Sequence, residues 1–168
     1  MSNHNGTYGL DPKLVKLMED QLNELCPVIF DPTILPKRVD KADGKDIVRS
    51  SACNYYDGVS QNDVEEFYAR LKKEGPKDEA PSYGLNSTLV KEGKSIREDV
   101  WKVDGKYGSA ITKIIYWLMR AKDYVENEQQ LKVINLLIRY YETGDLHDFD
   151  VYSIEWLREQ EGRIDFIN

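Results

Sequence analysis

The stretch that decides the fold is Glu128-Gln129-Gln130-Leu131-Lys132-Val133-Ile134-Asn135-Leu136-Leu137-Ile138-Arg139-Tyr140-Tyr141-Glu142-Thr143-Gly144-Asp145. Leu131, Ile134, Leu137, Ile138 and Tyr141 recur three and four residues apart, so one side of a helix over 128–143 is apolar. Gly144 stands where a helix commonly ends in a left-handed residue. Asp145 then has the side chain to cap a further helix, with Phe149, Tyr152, Trp156 and Leu157 facing inward and Gly162 closing it. Before this stretch, residues 107–126 carry Ile111, Ile114, Ile115, Leu118 and Val125 in one stripe. Three helices joined by short connections run antiparallel to their neighbours, which predicts a helical bundle in the C-terminal half.

Upstream the pattern changes. In Leu89 to Val103, Glu92-Gly93-Lys94 can turn the chain, and Ile96, Glu98, Val100 and Lys102 alternate apolar with polar while Trp101 and Val103 lie on the other face. This predicts a small β-hairpin or ribbon. Residues 75–84 read as a surface loop rich in Pro, Gly and charge. Ser60-Gln61-Asn62-Asp63 is a capping-box variant opening a helix with Val64, Phe67, Tyr68 and Leu71 on one face, ended by Gly75-Pro76. Residues 50–58 are short and extended in character, and 37–45 read as a loop. Asp11-Pro12 starts an earlier helix with Leu14, Leu17, Met18, Leu22 and Leu25 on one side, which Pro27 is expected to stop. The fold class is therefore α+β, mainly helical. The expected organisation is one partial domain over 1–168: a disordered tail at 1–10, helices plus the β element over 11–104, and the bundle over 105–168.

Composition excludes several function classes. The chain has 168 residues, 23 Lys+Arg against 30 Asp+Glu, and a net charge of -7. Its basic residues are interleaved with acids, as in Lys72-Lys73-Glu74, which argues against a nucleic-acid surface. The apolar run Ile114-Ile115-Tyr116-Trp117-Leu118-Met119 is far below the ~20 residues of a membrane span. The residues from Met1 to Gly6 lack the charged-then-apolar pattern of a leader. The compartment, cytoplasmic or periplasmic, stays open.

The chemistry-bearing residues are few. Cys26 and Cys53 form no C-x-x-C pair and read as reduced and packed, with a bridge between them as the alternative. His4 and His147 are the two histidines, and neither belongs to an H-E-x-x-H motif. A catalytic zinc site needs three protein ligands, so no metal centre is expected within this chain. Glu65-Glu66 and Asp145, Asp148 and Asp150 read as solvated acids or dipole partners at helix starts. Ser50-Ser51 and Ser109 have no histidine of known proximity, and Gly105-Lys106-Tyr107-Gly108 is no phosphate loop. Trp101, Trp117 and Trp156 are expected to pack between hairpin and helices. No catalytic residue is assigned.

Four segments, in order, carry a resemblance. They are Cys53-Asn54-Tyr55-Tyr56-Asp57-Gly58-Val59-Ser60; then Ser82-Tyr83-Gly84-Leu85-Asn86-Ser87-Thr88-Leu89-Val90-Lys91-Glu92 with Val100-Trp101-Lys102-Val103; then Gly105-Lys106-Tyr107-Gly108-Ser109-Ala110-Ile111; and last Tyr140-Tyr141-Glu142-Thr143-Gly144-Asp145-Leu146, Tyr152-Ser153-Ile154-Glu155-Trp156 and Arg163-Ile164-Asp165-Phe166-Ile167-Asn168. From about residue 40 to the end the chain resembles the dipeptidyl peptidase III family, zinc exopeptidases that release dipeptides from peptide N-termini, and most the bacterial, Bacteroides-like branch.

The resemblance implies a fragment of the N-terminal half. In the family a Gly-Phe-Ile-Glu segment would follow Asn168, and an H-E-x-x-G-H motif with a later Glu ligand would hold zinc further on. Zinc is thus implied for the full-length parent, and the rest of the same polypeptide is the implied partner, with a peptide as substrate. Asp165 matches an acidic residue that holds the peptide's N-terminal ammonium. Tyr56 matches an aromatic position lining the pocket for the first side chains. Ile167 stands near a family tyrosine that assists the tetrahedral intermediate, and it cannot donate a hydrogen bond. On this reading the segment shapes a substrate cleft and is inactive alone. Its exposed surfaces, made for the remainder of an enzyme, are expected to promote self-association. The alternative is a non-catalytic α-helical protein-interaction domain.

Overall fold

A computed structural model of the chain describes residues 11–75 and 82–163. The expected tail at 1–10, most of the loop after Gly75 and the stretch holding Asp165 and Ile167 lie outside the described residues. The chain divides into two compact units, Met1–Cys53 and Asn54–Asn168.

In the first unit, helix α1 spans Pro12–Phe30. The Asp11 carboxylate accepts from the Lys13 N–H at 2.8 Å, and Pro12 sits at the first position, where no donor is needed. The helix does not stop at Pro27. That residue lies inside it, and its carbonyl still accepts from the Asp31 N–H at 2.9 Å. One missing donor near the C-terminal end removes one hydrogen bond and leaves the last turn closed. Leu14, Leu17, Met18, Leu22 and Leu25 are all exposed. A single-turn helix α2, Ile47–Ser50, follows, its N–H groups at Val48 and Arg49 capped by Asp46. Four residues are too few to show a period, so the sequence pattern gave no sign of it. Cys26 and Cys53 are free, as expected, but exposed rather than packed.

The second unit contains a three-stranded sheet in the order β1-β2-β3: Tyr56–Asp57, Ser87–Glu92 and Ser95–Val100. Strands β2 and β3 form the expected hairpin, with Ser87 opposite Val100 and Glu92 opposite Ser95. Gly93 leads the two-residue turn with φ 61°, the conformation that primed hairpin turns require. Strand β1 runs parallel to β2, Tyr56 beside Leu89, and was legible only as an extended segment. A parallel pair needs a long crossover. Helix α3, Gln61–Glu74, lies in it, opened by a true capping box: Ser60 accepts from the Asp63 N–H and Asp63 from the Ser60 N–H. Asp63 also pairs with Lys91 of β2 at 2.8 Å. These contacts, Lys91 first, hold the Asp63 carboxyl far below its ordinary range.

Helices α4 (Gly108–Ala121), α5 (Glu128–Thr143) and α6 (Leu146–Arg158) complete the unit. Helix α4 ends before 126: a 3₁₀ turn at Lys122–Tyr124 follows and Val125 is extended. Helix α5 has the expected bounds, and Gly144 takes φ 68°, where an added Cβ would lie 2.5 Å from Val100 Cγ1. Asp145 caps α6 through the His147 N–H, but α6 ends at Arg158, short of Gly162. The core is Val133, Leu137, Tyr140 and Tyr152, with Leu118, Leu136, Tyr141 and Phe149 against it. Several expected core positions face outward: Ile114, Trp117, Trp156 and Leu157 are exposed, Trp117 at 66% and Leu157 at 65%. Trp117 precedes the packed Leu118 by one residue and so lies about 100° around the helix from the contact with the core. No helix among the described residues is long and apolar enough to cross a membrane.

Two acids of α6 are part of this packing, Asp148 in its first turn and Glu155 near its end. Asp148 is buried, bonded to Arg139 at 3.0 Å and to the Thr143 hydroxyl at 2.8 Å. Glu155, also buried, accepts from the Gln129 amide at 2.9 Å and pairs with Lys132 at 2.8 Å and Arg158 at 2.6 Å. Gln129, then Lys132 and Arg158, hold its carboxyl down to about 2, against 4.5 when free. The unfolded chain thus binds this proton more tightly than the folded one. The stability it contributes is full above pH 4.5 and is lost as pH falls toward about 2. Urea titrations of the chain and of Glu155→Gln should converge across that window; a constant gap would contradict the assignment.

Candidate functional site

Tyr56 is half-buried on β1. Close to it stands Tyr68, whose phenol donates to Glu98 Oε1 at 3.2 Å, the oxygen that also accepts from Ser87 Oγ at 2.7 Å. Burial, with Glu98 and Tyr56 nearby, pushes the Tyr68 phenol well above its ordinary value, so it acts as a neutral donor. Glu65 and Glu66 accept the amides of Gln61 and Asn62 on the exposed face of α3, as solvated acids do. Ser50 Oγ donates to the Asp46 carbonyl, which makes it part of the α2 turn.

The described residues bring together a different group, one that the sequence pattern did not single out. Tyr55 stacks on Trp101 with ring centroids 5.2 Å apart and planes at 28°. Tyr107 meets the same indole edge-on at 5.4 Å and 73°. The Lys106 ammonium lies 5.5 Å from the Tyr107 ring centre. Tyr55 is 39% and Tyr107 47% exposed, so the stack presents an open aromatic face. Asn54 Nδ2 donates to the Tyr107 hydroxyl at 3.4 Å across one end of it.

Beneath this face the backbone is held tightly. The Trp101 N–H donates to the Asn86 carbonyl at 2.7 Å, and Asn86 Nδ2 donates to the Gly144 carbonyl at 2.8 Å. The Val103 N–H donates to the Tyr141 carbonyl at 3.2 Å. Tyr140, hydrogen-bonded to Asn86, is pushed up to about 12 chiefly by burial. All four of the quoted sequence segments meet here. Tyr107 is moreover the single non-glycine residue with positive φ among the described residues, at 64°. A bulky aromatic in that region carries backbone strain, a feature concentrated at functional sites. The available signal was an aromatic residue in each of three segments, Tyr55, Trp101 and Tyr107; which rings would touch depends on the parallel placement of β1.

Among the described residues, concavities also lie elsewhere. One of about 180 Å³ is lined by Asp63, Glu66, Phe67, Arg70, Lys94 and Ile96; another, about 470 Å³ and shallow, runs along α5 from Glu128 to Arg139. Their charges are mixed, and neither includes Tyr56 or the aromatic stack.

The model of peptidase family M49 matches residues 45–167, which span both the sheet and the three C-terminal helices. No curated protein matches the chain. The family is one of metallopeptidases. Among the described residues no group of three or more His, Cys, Asp or Glu side chains could hold a metal ion, so these residues do not fit a zinc site. With the match covering most of its length, the chain belongs to peptidase family M49, the dipeptidyl peptidase III family.

Proposed function

We propose that this chain forms part of the peptide-binding surface of a dipeptidyl peptidase III-type metallopeptidase and cuts no bond by itself. The observation that carries this reading is the exposed stack of Tyr55, Trp101 and Tyr107 inside the family match. Such rings bury apolar side chains of a peptide while their polar tips keep hydrogen bonds. Tyr56, one residue from the stack, lines a pocket for the first side chains. Asp165 pairs with the N-terminal ammonium, a charge-assisted contact that suits an exopeptidase. Its place follows from the resemblance, since it lies outside the described residues. Both assignments concern binding, and no catalytic step is assigned to this chain. The ligands of a catalytic zinc come from polypeptide outside these 168 residues, whose sequence holds no H-E-x-x-G-H. Binding and hydrolysis measured side by side test the reading: a pentapeptide should bind saturably and remain whole when zinc is supplied.

A further inference from the structure

Beside Asn86, a second buried polar side chain lies beneath the aromatic face. Thr88, in the central strand β2, is 1% exposed, so it cannot touch a ligand. Its hydroxyl donates to the Asn54 carbonyl at 2.8 Å. It accepts from Trp101 Nε1 at 3.1 Å and from Lys106 Nζ at 2.9 Å. A hydroxyl has one proton to give and two lone pairs, so all of its capacity is used. The three partners belong to the three segments that carry the rings: Asn54 precedes Tyr55, Trp101 is the middle ring, and Lys106 precedes Tyr107.

We infer that Thr88 is a positioning residue for peptide binding: its buried hydroxyl fixes the mutual placement of Tyr55, Trp101 and Tyr107. The inference rests on the reading of the stack as a peptide surface. Valine has nearly the shape of threonine but bonds to none of the three partners. Thr88→Val therefore leaves a carbonyl, an indole N–H and an ammonium to find other partners, and the rings shift with them. Serine keeps the hydroxyl and loses only a methyl group.

The test uses the full chain with Trp117→Phe and Trp156→Phe, which leaves Trp101 as the only one of its three tryptophans. Two quantities are read in this background: acrylamide quenching of Trp101, and affinity for an alanine-based pentapeptide with phenylalanine at its second position. Thr88→Val should raise quenching and weaken the peptide about tenfold, while Thr88→Ser should stay within about twofold of the parent in affinity. Lys106→Met removes one bond to the hydroxyl and the ammonium near the Tyr107 ring without altering the core, and should raise quenching of Trp101, which Lys106 reaches through the hydroxyl, and weaken the peptide, each by less than Thr88→Val. It decides the matter if Thr88→Val does not fold. Unchanged quenching and affinity in Thr88→Val, or in Lys106→Met if valine is not tolerated, would overturn the inference. If instead the parent binds no peptide while quenching still separates Val from Ser, the reading of the surface fails and the positioning of Trp101 stands.

Discussion

Trp101→Ala is expected to weaken binding of a pentapeptide by about 2 kcal/mol, roughly thirtyfold, as truncation of a central aromatic anchor does. Trp101 touches both Tyr55 and Tyr107, so removing it separates the other two rings as well. Trp117→Ala is the control. That residue is 66% exposed on α4 and contacts Tyr116, outside the stack, so its loss should leave affinity within about twofold. Calorimetric titration of both variants checks the pair of outcomes. Equal losses would mean that the peptide responds to general apolar exposure and not to this face.

Leu137→Ala should lower the unfolding free energy by about 3 kcal/mol, within the range for emptying a packed leucine site. Leu137 is 2% exposed in the cluster with Val133, Tyr140 and Tyr152. In a unit of this size the thermal midpoint should drop on the order of 10 °C, read by circular dichroism. Leu157→Ala should cost less than about 0.5 kcal/mol, because that side chain is 65% exposed. A comparable loss from Leu157 would return it to the core position that helical spacing suggested.

Those two leucines show what the sequence carried and what it did not. Period and punctuation located α5 by Leu131, Ile134 and Leu137, with Gly144 as its left-handed end and Asp145 as the next cap, because these signals are local. The hairpin was legible for the same reason: Gly93 turns the chain within two residues. Depth of burial was less legible. Leu157, Trp156 and Ile114 fit a helical stripe, yet a helix buries only the arc that meets a neighbour. Pro27 shows that a local rule can be outweighed when the lost hydrogen bond is one near a helix end. Asp148 read as a solvated acid or a dipole partner at a helix start; it stands in the first turn of α6, but its burial was not legible because its cation, Arg139, comes from the adjacent helix.

The candidate site was legible in part. Tyr56 and Asp165 came from family resemblance; Tyr56 is placed half-buried near Tyr68, and Asp165 lies outside the described residues. The stack beside Tyr56 was not foreseen. It depends on β1 pairing parallel to β2 across the α3 crossover, and on a threonine whose three partners are 34, 13 and 18 residues away. Side-chain pairing at those separations follows from the assembled sheet, not from any window of the sequence.

Binding without cleavage is the claim on which the rest depends. The direct measurement is a calorimetric titration of the pentapeptide into the purified chain, run once with chelator and once with added zinc, with the recovered peptide weighed by mass spectrometry. Saturable heat of equal affinity in both runs, and an intact peptide in both, is the expected result. Absence of binding, or release of a dipeptide that zinc supports and chelator abolishes, would contradict it.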